Sequence, residues 1–190
     1  MKTVSIFGGT GFIGSELVDH LAKKNIKINV FTRRLSKANK FKDLPRVKII
    51  EINESADISE LLKESDVVIN LVGILHEKKS TSFYSVHKDW VNKISIAVKK
   101  NNISRFIHLG AIQSNKHAPS RYLKSKYEGE EEIKSILKKK SWTILRPSIV
   151  FGKDDIFINL FRKMVTYLPI ICLLYTSPSP RDRTRSRMPS

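Results

Sequence analysis

Residues 3–14 read TVSIFGGTGFIG, an apolar segment followed by a turn with glycines at positions 8, 11 and 14. The segment 3–7 is predicted to be a β-strand, and the apolar residues after the glycines have helical spacing. Such a turn leaves backbone N–H groups at a helix N-terminus, where a pyrophosphate approaches without meeting a Cβ. The pattern therefore predicts a dinucleotide-binding loop at Gly8, Gly11 and Gly14. The alternative is a glycine-rich turn that binds nothing.

Strand and helix signals alternate along the rest of the chain. Further strands are predicted at residues 27–32, 47–51, 66–72, 105–109 and 142–145. Helices are predicted at about 57–63, 81–100, 122–138 and 154–167. This alternation predicts an α/β fold, a Rossmann-type doubly wound parallel sheet. Ligands of such sheets bind at the carboxyl ends of the strands, so we expect the functional residues in the loops that follow them.

The composition is typical of a globular protein, with 41% hydrophobic and 28% charged residues in 190. No segment has the pattern of a signal peptide or a membrane span, so a cytoplasmic protein is expected. The formal net charge of +17 comes mostly from lysines that are scattered without interleaved aromatic residues, which argues against a specific nucleic-acid site. The charge is compatible with an acidic partner or with peripheral attachment at the inner face of a membrane.

Residues 172–190 differ in character from the rest, because they have no apolar periodicity and resemble a translated sequencing adapter. We expect a cofactor domain at 1–147, the start of a C-terminally truncated substrate lobe at 148–171, and a non-native tail at 172–190. A genuine disordered basic tail is the alternative. Cys172, the one cysteine, belongs to this tail, so no disulfide is expected. His76, His87 and His108 lack metal-ligand spacing, and His108 is interpreted as a hydrogen-bonded core residue.

An arginine pair follows the second predicted strand. Arg33 and Arg34 come directly after Thr32, and no Asp or Glu lies between Asn25 and Lys42. An NAD-preferring site usually has a carboxylate here for the adenosine ribose, whereas arginine accommodates the 2′-phosphate of NADP. The pair predicts NADP(H) as the preferred cofactor, with Arg33 as the main phosphate ligand and Arg34 as its substitute. NAD(H) is the alternative if both arginines are solvated loop charges.

A tyrosine and a lysine four residues apart open the predicted helix 122–138. Tyr122 and Lys126 lie on one helix face, which brings the phenol and the ammonium into the same space. A nearby ammonium is expected to lower the pKa of the phenol, so that Tyr122 serves as a general acid or base. A second pair with this spacing, Tyr84 and Lys88, lies early in the preceding helix and is interpreted as unrelated to the site.

With these motifs the chain resembles an extended or atypical short-chain dehydrogenase/reductase, of the NAD-dependent epimerase/dehydratase kind. More narrowly, it resembles the NAD(P)H-binding accessory subunit of respiratory complex I and its bacterial homologues. The resemblance covers residues 1 to about 171, beyond which full-length members continue into a substrate-binding lobe. It is carried by residues 8–14, 66–75 (DVVINLVGIL), 120–126 and 145–152 (LRPSIVFG).

The resemblance implies a set of cofactor contacts. Lys126 would bond the nicotinamide-side ribose, Arg33 the 2′-phosphate, and Tyr122 would be the acid/base of any reaction. The other implied contacts are with the pyrophosphate (Gly8, Thr10, Gly11, Phe12, Ile13, Gly14), the adenine (Glu51, Ile52), the nicotinamide-side ribose (Val72, Gly73) and the nicotinamide pocket (Pro147, Val150).

The chain departs from the family pattern after the fifth strand. Active members carry a Ser or Thr there to hydrogen-bond the substrate oxygen, but Gly110 and Ala111 occupy these positions. Losing one such donor typically costs on the order of a hundredfold in rate. The departure implies cofactor binding with weak or absent turnover, unless Gln113 or Ser114 supplies the donor.

Three functions follow as hypotheses. The preferred one is an NADPH-binding accessory or assembly factor of respiratory complex I or of quinone metabolism, with little or no turnover. The second is an active NADP-dependent oxidoreductase or epimerase on a nucleotide-sugar or quinone-like carbonyl, which Tyr122 and Lys126 favour. A redox-sensing regulator is disfavoured by the same pair.

Overall fold

The computed structural model describes residues 1–53, 55–138, 141–148, 150 and 152. Six parallel strands form a sheet in the order β3-β2-β1-β4-β5-β6. Their bounds are Thr3–Phe7 (β1), Lys27–Thr32 (β2), Val47–Glu51 (β3), Val67–Asn70 (β4), Arg105–Leu109 (β5) and Trp142–Leu145 (β6). The order reverses between β1 and β4, which is the switch point where ligands bind in such folds. The predicted doubly wound sheet is confirmed, and β4 is shorter than predicted.

Helices cover both faces of the sheet. They are α1 (Phe12–Ala22), α2 (Ile58–Leu61), α3 (Trp90–Lys100) and α4 (Arg121–Ile136), with a 3-10 helix at Leu35–Phe41 and a π-helix at Ser85–Asp89. Side-chain caps begin two of them: the Asp57 carboxylate accepts the Ser59 and Glu60 N–H groups, and the Ser120 hydroxyl accepts the Leu123 N–H. The predicted helix at 57–63 is therefore present but shorter, and the predicted helix at 122–138 begins one residue earlier and ends two residues earlier than predicted.

The predicted helix 81–100 has a different start from the one expected. Thr81 pairs with Lys78 in an isolated antiparallel bridge, so it is held outside the helix. The helix begins at residue 83, its segment Ser85–Asp89 is π-helical, and α3 continues from Trp90. A π-helix is rare and often marks a functional position.

Two apolar clusters stabilise the two faces. On the α2–α4 face, Phe7, Val68 and Phe106 pack against helix residues such as Ile94 and Ile133. The α1 face holds a second cluster, which includes Ile6, Val18, Ile28, Val30 and Ile69. Because Val68 and Ile69 belong to different clusters, β4 is buried on both faces, as its continuous apolar sequence predicted.

The predicted helix 154–167 and the tail 172–190 lie outside the described residues, as does most of the predicted lobe at 148–171. Within the described part of the chain, no helix is both long and apolar enough to cross a membrane.

Candidate cofactor site

The glycine loop between β1 and α1 has a backbone that side chains would disrupt. Gly8 has φ +80°, and a Cβ there would lie 2.9 Å from the carbonyl carbon of Leu71 and from the Val72 nitrogen. A Cβ on Gly14 would clash with the Gly8 carbonyl, so α1 packs directly on the turn. The loop thus forms a cradle that only glycine permits, as expected for close approach of a pyrophosphate.

The N-terminus of α1 is open at this cradle. Gly11 is the N-cap residue, and no side chain caps the helix there. The Gly11 N–H donates to the Gly8 carbonyl at 3.0 Å, which closes the turn. Thr10, Phe12 and Ile13 are partly exposed at the same end. Uncapped N–H groups at a helix N-terminus attract anions, so the loop fits the phosphates of a dinucleotide.

The ends of β2 and β3 form a second part of the site. The Thr32 hydroxyl both donates to the Arg34 carbonyl at 3.1 Å and accepts the Arg34 N–H at 3.2 Å, which fixes the turn after β2. The Ile52 N–H donates to the Thr32 carbonyl at 2.9 Å and holds the end of β3 beside this turn. A cavity of about 390 Å³ lies there, lined by Arg33, Glu51, Ile52 and Asn53.

This cavity unites three of the predicted adenine-side residues from separate parts of the sequence. Arg33 and Glu51 are exposed, and Ile52 is buried. Arg34 is also exposed but is not among the residues that line the cavity. Arg33 thus lines the cavity and Arg34 does not.

The structure places the predicted Tyr122 and Lys126 on the first turns of α4, beside the ends of β4 and β5. Lys126 is 4% exposed, and its Nζ donates to the Leu109 carbonyl at 3.0 Å. A Cβ on Gly73 would lie 3.2 Å from the same Nζ, so the missing side chain of Gly73 leaves the ammonium its space. The Tyr122 hydroxyl has no hydrogen-bond partner within residues 1–53, 55–138 and 141–148.

Burial governs the protonation of this pair. Burial lowers the pKa of the Lys126 ammonium to about 8, against a smaller opposing effect of the Glu130 carboxylate. Burial also raises the pKa of the Tyr122 phenol above its ordinary value. The expectation that Lys126 lowers the tyrosine pKa is therefore wrong for the protein alone. The reason is desolvation, which disfavours the phenolate.

Buried polar side chains lie beneath the pair. His87, on the π-helix, is fully buried, and its Nε2 accepts the Ile74 N–H at 3.1 Å. Its Nδ1 lies 2.9 Å from the Ser125 hydroxyl, and its ring packs edge-on against the Tyr122 ring with 5.3 Å between centroids. The imidazole thus contacts the loop after β4 and the helix that carries Tyr122.

A second buried imidazole lies on β5. His108 is 1% exposed, and its Nδ1 lies 3.2 Å from Asn70 Nδ2. The Asn70 Oδ1 accepts the Val72 N–H at 3.2 Å, which turns the chain out of β4 and shortens that strand. The predicted core position of His108 is confirmed. Its hydrogen bonding is only half satisfied within the described part of the chain, since Nε2 has no partner there.

A carboxylate fills the space next to Gly110. Glu130 is fully buried on α4, where it forms an ion pair with Arg146 and accepts the Ser114 hydroxyl at 2.9 Å. A Cβ on Gly110 would clash with the Glu130 Oε1. Ser114 is therefore committed to Glu130, and Gln113 is exposed with φ 64°. The Ser114 hydroxyl therefore does not replace the donor that Gly110 and Ala111 lack.

The segments after β5 and β6 run side by side. The Gly110 N–H donates to the Leu145 carbonyl at 2.8 Å, and the Ile112 N–H donates to the Pro147 carbonyl at 3.1 Å. Pro147 is half-buried and Val150 is exposed, both on the segment after β6. Of the other implied contacts, Val72 is half-buried and Gly73 exposed in the loop after β4.

Sequence reasoning missed His87 as a contact residue and did not identify Glu130 or Arg146. The sequence held one signal for Glu130. Tyr122, Lys126 and Glu130 follow one another at intervals of four residues, so Glu130 lies on the same face of α4 as the predicted site residues. The contacts of His87 left no comparable pattern, because its partners are far away in sequence. Among the described residues, no cluster of three or more His, Cys, Asp or Glu is arranged to hold a metal.

Comparison with known proteins agrees with this geometry. A family model described as NAD(P)H-binding matches residues 8–157. The chain is 32% identical over 158 residues to the mitochondrial NADH-ubiquinone oxidoreductase 40 kDa subunit of Neurospora crassa, covering 80% of this chain and 42% of that protein. It is 29% identical over 172 residues to the mitochondrial NADH dehydrogenase (ubiquinone) 1 alpha subcomplex subunit 9 of Mus musculus, covering 87% and 45%.

The fold has counterparts among solved structures. A UDP-glucuronic acid 4-epimerase from Bacillus cereus, in complex with NAD, superposes with a TM-score of 0.72 at 22% identity, covering 86% of this chain and 64% of that one. This likeness confirms the predicted Rossmann-type architecture. The chain spans about half the length of the curated relatives it matches.

Proposed function

The chain belongs to the NAD(P)H-binding family, and we propose that it is an NADPH-binding accessory or assembly factor of respiratory complex I, with little or no turnover. The observation that carries this proposal is the environment of Gly110. The buried Glu130 carboxylate occupies the space that a side chain at Gly110 would need, and Gly110 is one of the two positions where active members carry a Ser or Thr, while the glycine cradle is intact. The site thus retains the features that bind a dinucleotide and lacks the Ser or Thr donor that active members carry after the fifth strand.

Each part of the site has a defined task in this proposal. The α1 N-terminus binds the pyrophosphate, Arg33 pairs with the 2′-phosphate, and Lys126 hydrogen-bonds the nicotinamide-side ribose. A bound NADPH would supply hydride chemistry. Glu130, however, presents only acceptor oxygens toward the end of β5, and these are already occupied by Arg146 and Ser114. Active members place a Ser or Thr donor here for the substrate oxygen, and because this chain has none at Gly110 and Ala111, we expect the cofactor to be held and not consumed.

The preference for NADPH tests the role of Arg33. We expect the full chain to bind NADPH at least about tenfold more tightly than NADH in a fluorescence titration. The reason is that an ion pair between a guanidinium and a phosphate contributes roughly the 1.4 kcal/mol that a tenfold difference in Kd requires. Arg33→Ala should remove the preference by weakening NADPH alone. Arg105→Ala is the control of equal charge, since Arg105 begins β5 and so lies at the amino ends of the strands, away from the carboxyl ends where the cofactor is expected. Equal binding of both nucleotides would overturn the NADPH preference.

The proposed partner is a respiratory complex, by similarity to relatives that bear the names of complex I subunits. A partner in quinone synthesis at the membrane surface is the alternative. Co-purification from membranes, with the wild-type chain and with Tyr122→Phe, tests the accessory role. We expect the variant to keep the association, since the role needs no proton transfer at Tyr122.

An active NADP-dependent oxidoreductase or epimerase is the second candidate. It is favoured by the Tyr122 hydroxyl, which has no partner in residues 1–53, 55–138 and 141–148, and by the adjacent buried Lys126. NADPH-dependent reduction of a quinone-like or nucleotide-sugar carbonyl that Tyr122→Phe abolishes would establish this function. Such a result would replace the accessory proposal.

A further inference from the structure

His87 lies where three structural elements meet. The π-helix carries it into the core, and Gly129 on α4 lies so close to the His87 carbonyl that a Cβ on Gly129 would clash with it. Its ring stacks on Phe83 with 5.7 Å between centroids and meets the Tyr122 ring edge-on. The imidazole is thus held on several sides by packing and by close backbone approach.

The hydrogen bonds of His87 define its tautomer. A backbone N–H can only donate, so Nε2, which receives the Ile74 N–H, carries no proton. The neutral ring therefore has its proton on Nδ1 and donates to the Ser125 hydroxyl. That hydroxyl in turn donates to the Tyr122 carbonyl at 2.7 Å. The result is a directed chain from Ile74 through His87 and Ser125 to Tyr122.

This chain joins the predicted nicotinamide-side contacts to one another. Ile74 directly follows Gly73, whose missing side chain gives space to Lys126 Nζ and which lies next to His87 Nε2. Ser125 directly precedes Lys126. We propose that His87 is a positioning residue, which fixes the loop after β4 against the turn of α4 that carries Tyr122 and Lys126. The inference rests on the proposed binding of NADPH at this site.

Two substitutions separate the two bonds of the ring. An Asn side chain places its amide nitrogen near the position of Nδ1, whereas Gln reaches the position of Nε2 with an acceptor oxygen. His87→Asn therefore keeps the bond to Ser125 and loses the bond to Ile74, and His87→Gln does the reverse. We expect His87→Asn and His87→Gln each to raise the Kd for NADPH about 5- to 20-fold, because the loss of either bond disconnects the loop after β4 from α4.

The Kd for adenosine 2′,5′-bisphosphate separates a positioning role from a merely structural one, because general damage to the fold would raise this Kd as well. The bisphosphate carries the adenine-side groups of NADPH and lacks the nicotinamide, so we expect its Kd to stay within about twofold in both variants. His20→Asn, an exposed position on α1, is the matched control and should bind both ligands like wild type. Parallel weakening of both ligands by His87→Asn, or no weakening of NADPH by it, would overturn the proposal.

Two further measurements protect the test against a variant that does not fold. Ser125→Ala leaves the imidazole in place and breaks the next link, so it should weaken NADPH in the same direction as His87→Asn. Nitrogen-15 spectra of the wild-type chain should show a neutral Nδ1-protonated His87; an Nε2-protonated ring would overturn the assignment. If the wild type binds neither ligand, the proposed function itself fails. If it binds both and the variants match it, only the role of His87 fails.

Discussion

The ends of β1–β3 and the ends of β4–β6 form two halves of one site by different means. In the first half, backbone geometry dominates: the Gly8 turn, the open N-terminus of α1 and an exposed Arg33 beside a cavity. In the second half, buried side chains from distant elements contact each other, with His87, Lys126 and Glu130 almost wholly buried. We call these the β1–β3 region and the β4–β6 region.

The difference explains how each half responds to change. The β1–β3 region is set by local sequence, and its polar groups are left to solvent or to a ligand. The β4–β6 region satisfies most of its polar groups internally, so its conformation is fixed before any cofactor binds. We therefore expect substitutions in the β4–β6 region to cost stability, together with affinity where the residue binds or positions the cofactor, and polar substitutions in the β1–β3 region to cost mainly nucleotide affinity.

The largest effect is expected from Arg146→Ala. It leaves the fully buried Glu130 carboxylate without its ion-pair partner and with only the Ser114 hydroxyl. We expect the free energy of unfolding to fall by about 3 kcal/mol, measured by urea titration at neutral pH. Adding Glu130→Gln should recover part of the loss, because the buried charge is then absent.

Arg121→Ala is the comparison for this substitution. Arg121 pairs with Glu77 at 3.0 Å, but its side chain is 67% exposed, so its removal should cost less than about 1 kcal/mol. If both arginine substitutions cost the same small amount, burial does not distinguish the β4–β6 region in the way described.

Gly8→Ala should produce the next largest effect. It is the exception in the β1–β3 region, because the backbone geometry at Gly8 makes the substitution cost stability as well as affinity. The positive φ and the 2.9 Å approach to the loop after β4 leave no room for a methyl group. We expect a loss of about 2 kcal/mol in stability and loss of measurable NADPH binding.

Gly11→Ala tests whether the cost of Gly8→Ala comes from the backbone conformation at position 8 or from the loss of any glycine in the loop. Gly11 has φ −81°, and a Cβ there would lie 3.2 Å from the Gly8 carbonyl, which a small shift relieves. Its cost should be about 0.5 kcal/mol. Equal losses for the two substitutions would contradict the view that the Gly8 turn is the constraint.

The two regions also differ in how much of them the sequence predicts. The glycine cradle and five of the six strand bounds follow from local patterns, because a strand, a turn and a helix are each encoded within a few residues. The order of the strands in the sheet was not predicted. Arg33 and Glu51 could be placed at one end of the sheet from the same logic, since parallel strands bring their carboxyl ends together.

The β4–β6 region could be predicted only in part. Tyr122 and Lys126 share a helix face, so their proximity is local and follows from spacing. The bonds of His87 to Ile74 and Ser125 join residues 13 and 38 positions away, and the clash at Gly110 depends on Glu130 from another element. The pKa of Tyr122 was mispredicted for the same reason, since burial is a property of the packed fold and not of residue spacing.

A smaller effect is expected from acid, and it should arise in the β4–β6 region. Burial, with the Lys126 charge nearby, lowers the pKa of both His87 and His108 to about 3, against 6.5 in an unfolded chain. Below pH 6.5 the unfolded chain binds protons that the folded chain does not, so the free energy of unfolding falls as the pH drops from 6.5 toward 3. Each histidine should contribute a loss of about 1 kcal/mol between pH 7.5 and 5.5.

Urea midpoints measured across this pH range test the point, with His108→Gln removing one of the two contributions. The slope with pH should decrease in the variant. The lowered pKa of Lys126 has an effect of the same sign at alkaline pH. The free energy of unfolding should rise as the pH increases from about 8 toward 10.5, because in this range the unfolded chain still binds the proton that the folded chain has lost. A stability that is flat from pH 7.5 to 5.5 would show that neither imidazole is excluded from protonation in the folded protein.

The smallest effect is expected at Tyr84 and Lys88, the second tyrosine–lysine pair. Lys88 forms an ion pair with Glu128 at 3.0 Å, and both side chains are more than one third exposed. Tyr84→Phe with Lys88→Met should therefore change the Kd for NADPH by less than about twofold and stability by less than about 0.5 kcal/mol. Tyr122→Phe with Lys126→Met has the same chemistry at the buried pair, and it should weaken NADPH strongly because Lys126 is the proposed ribose ligand. If the two double variants bind NADPH alike, burial beside Gly73 does not distinguish the Tyr122–Lys126 pair from the Tyr84–Lys88 pair, which has the same spacing.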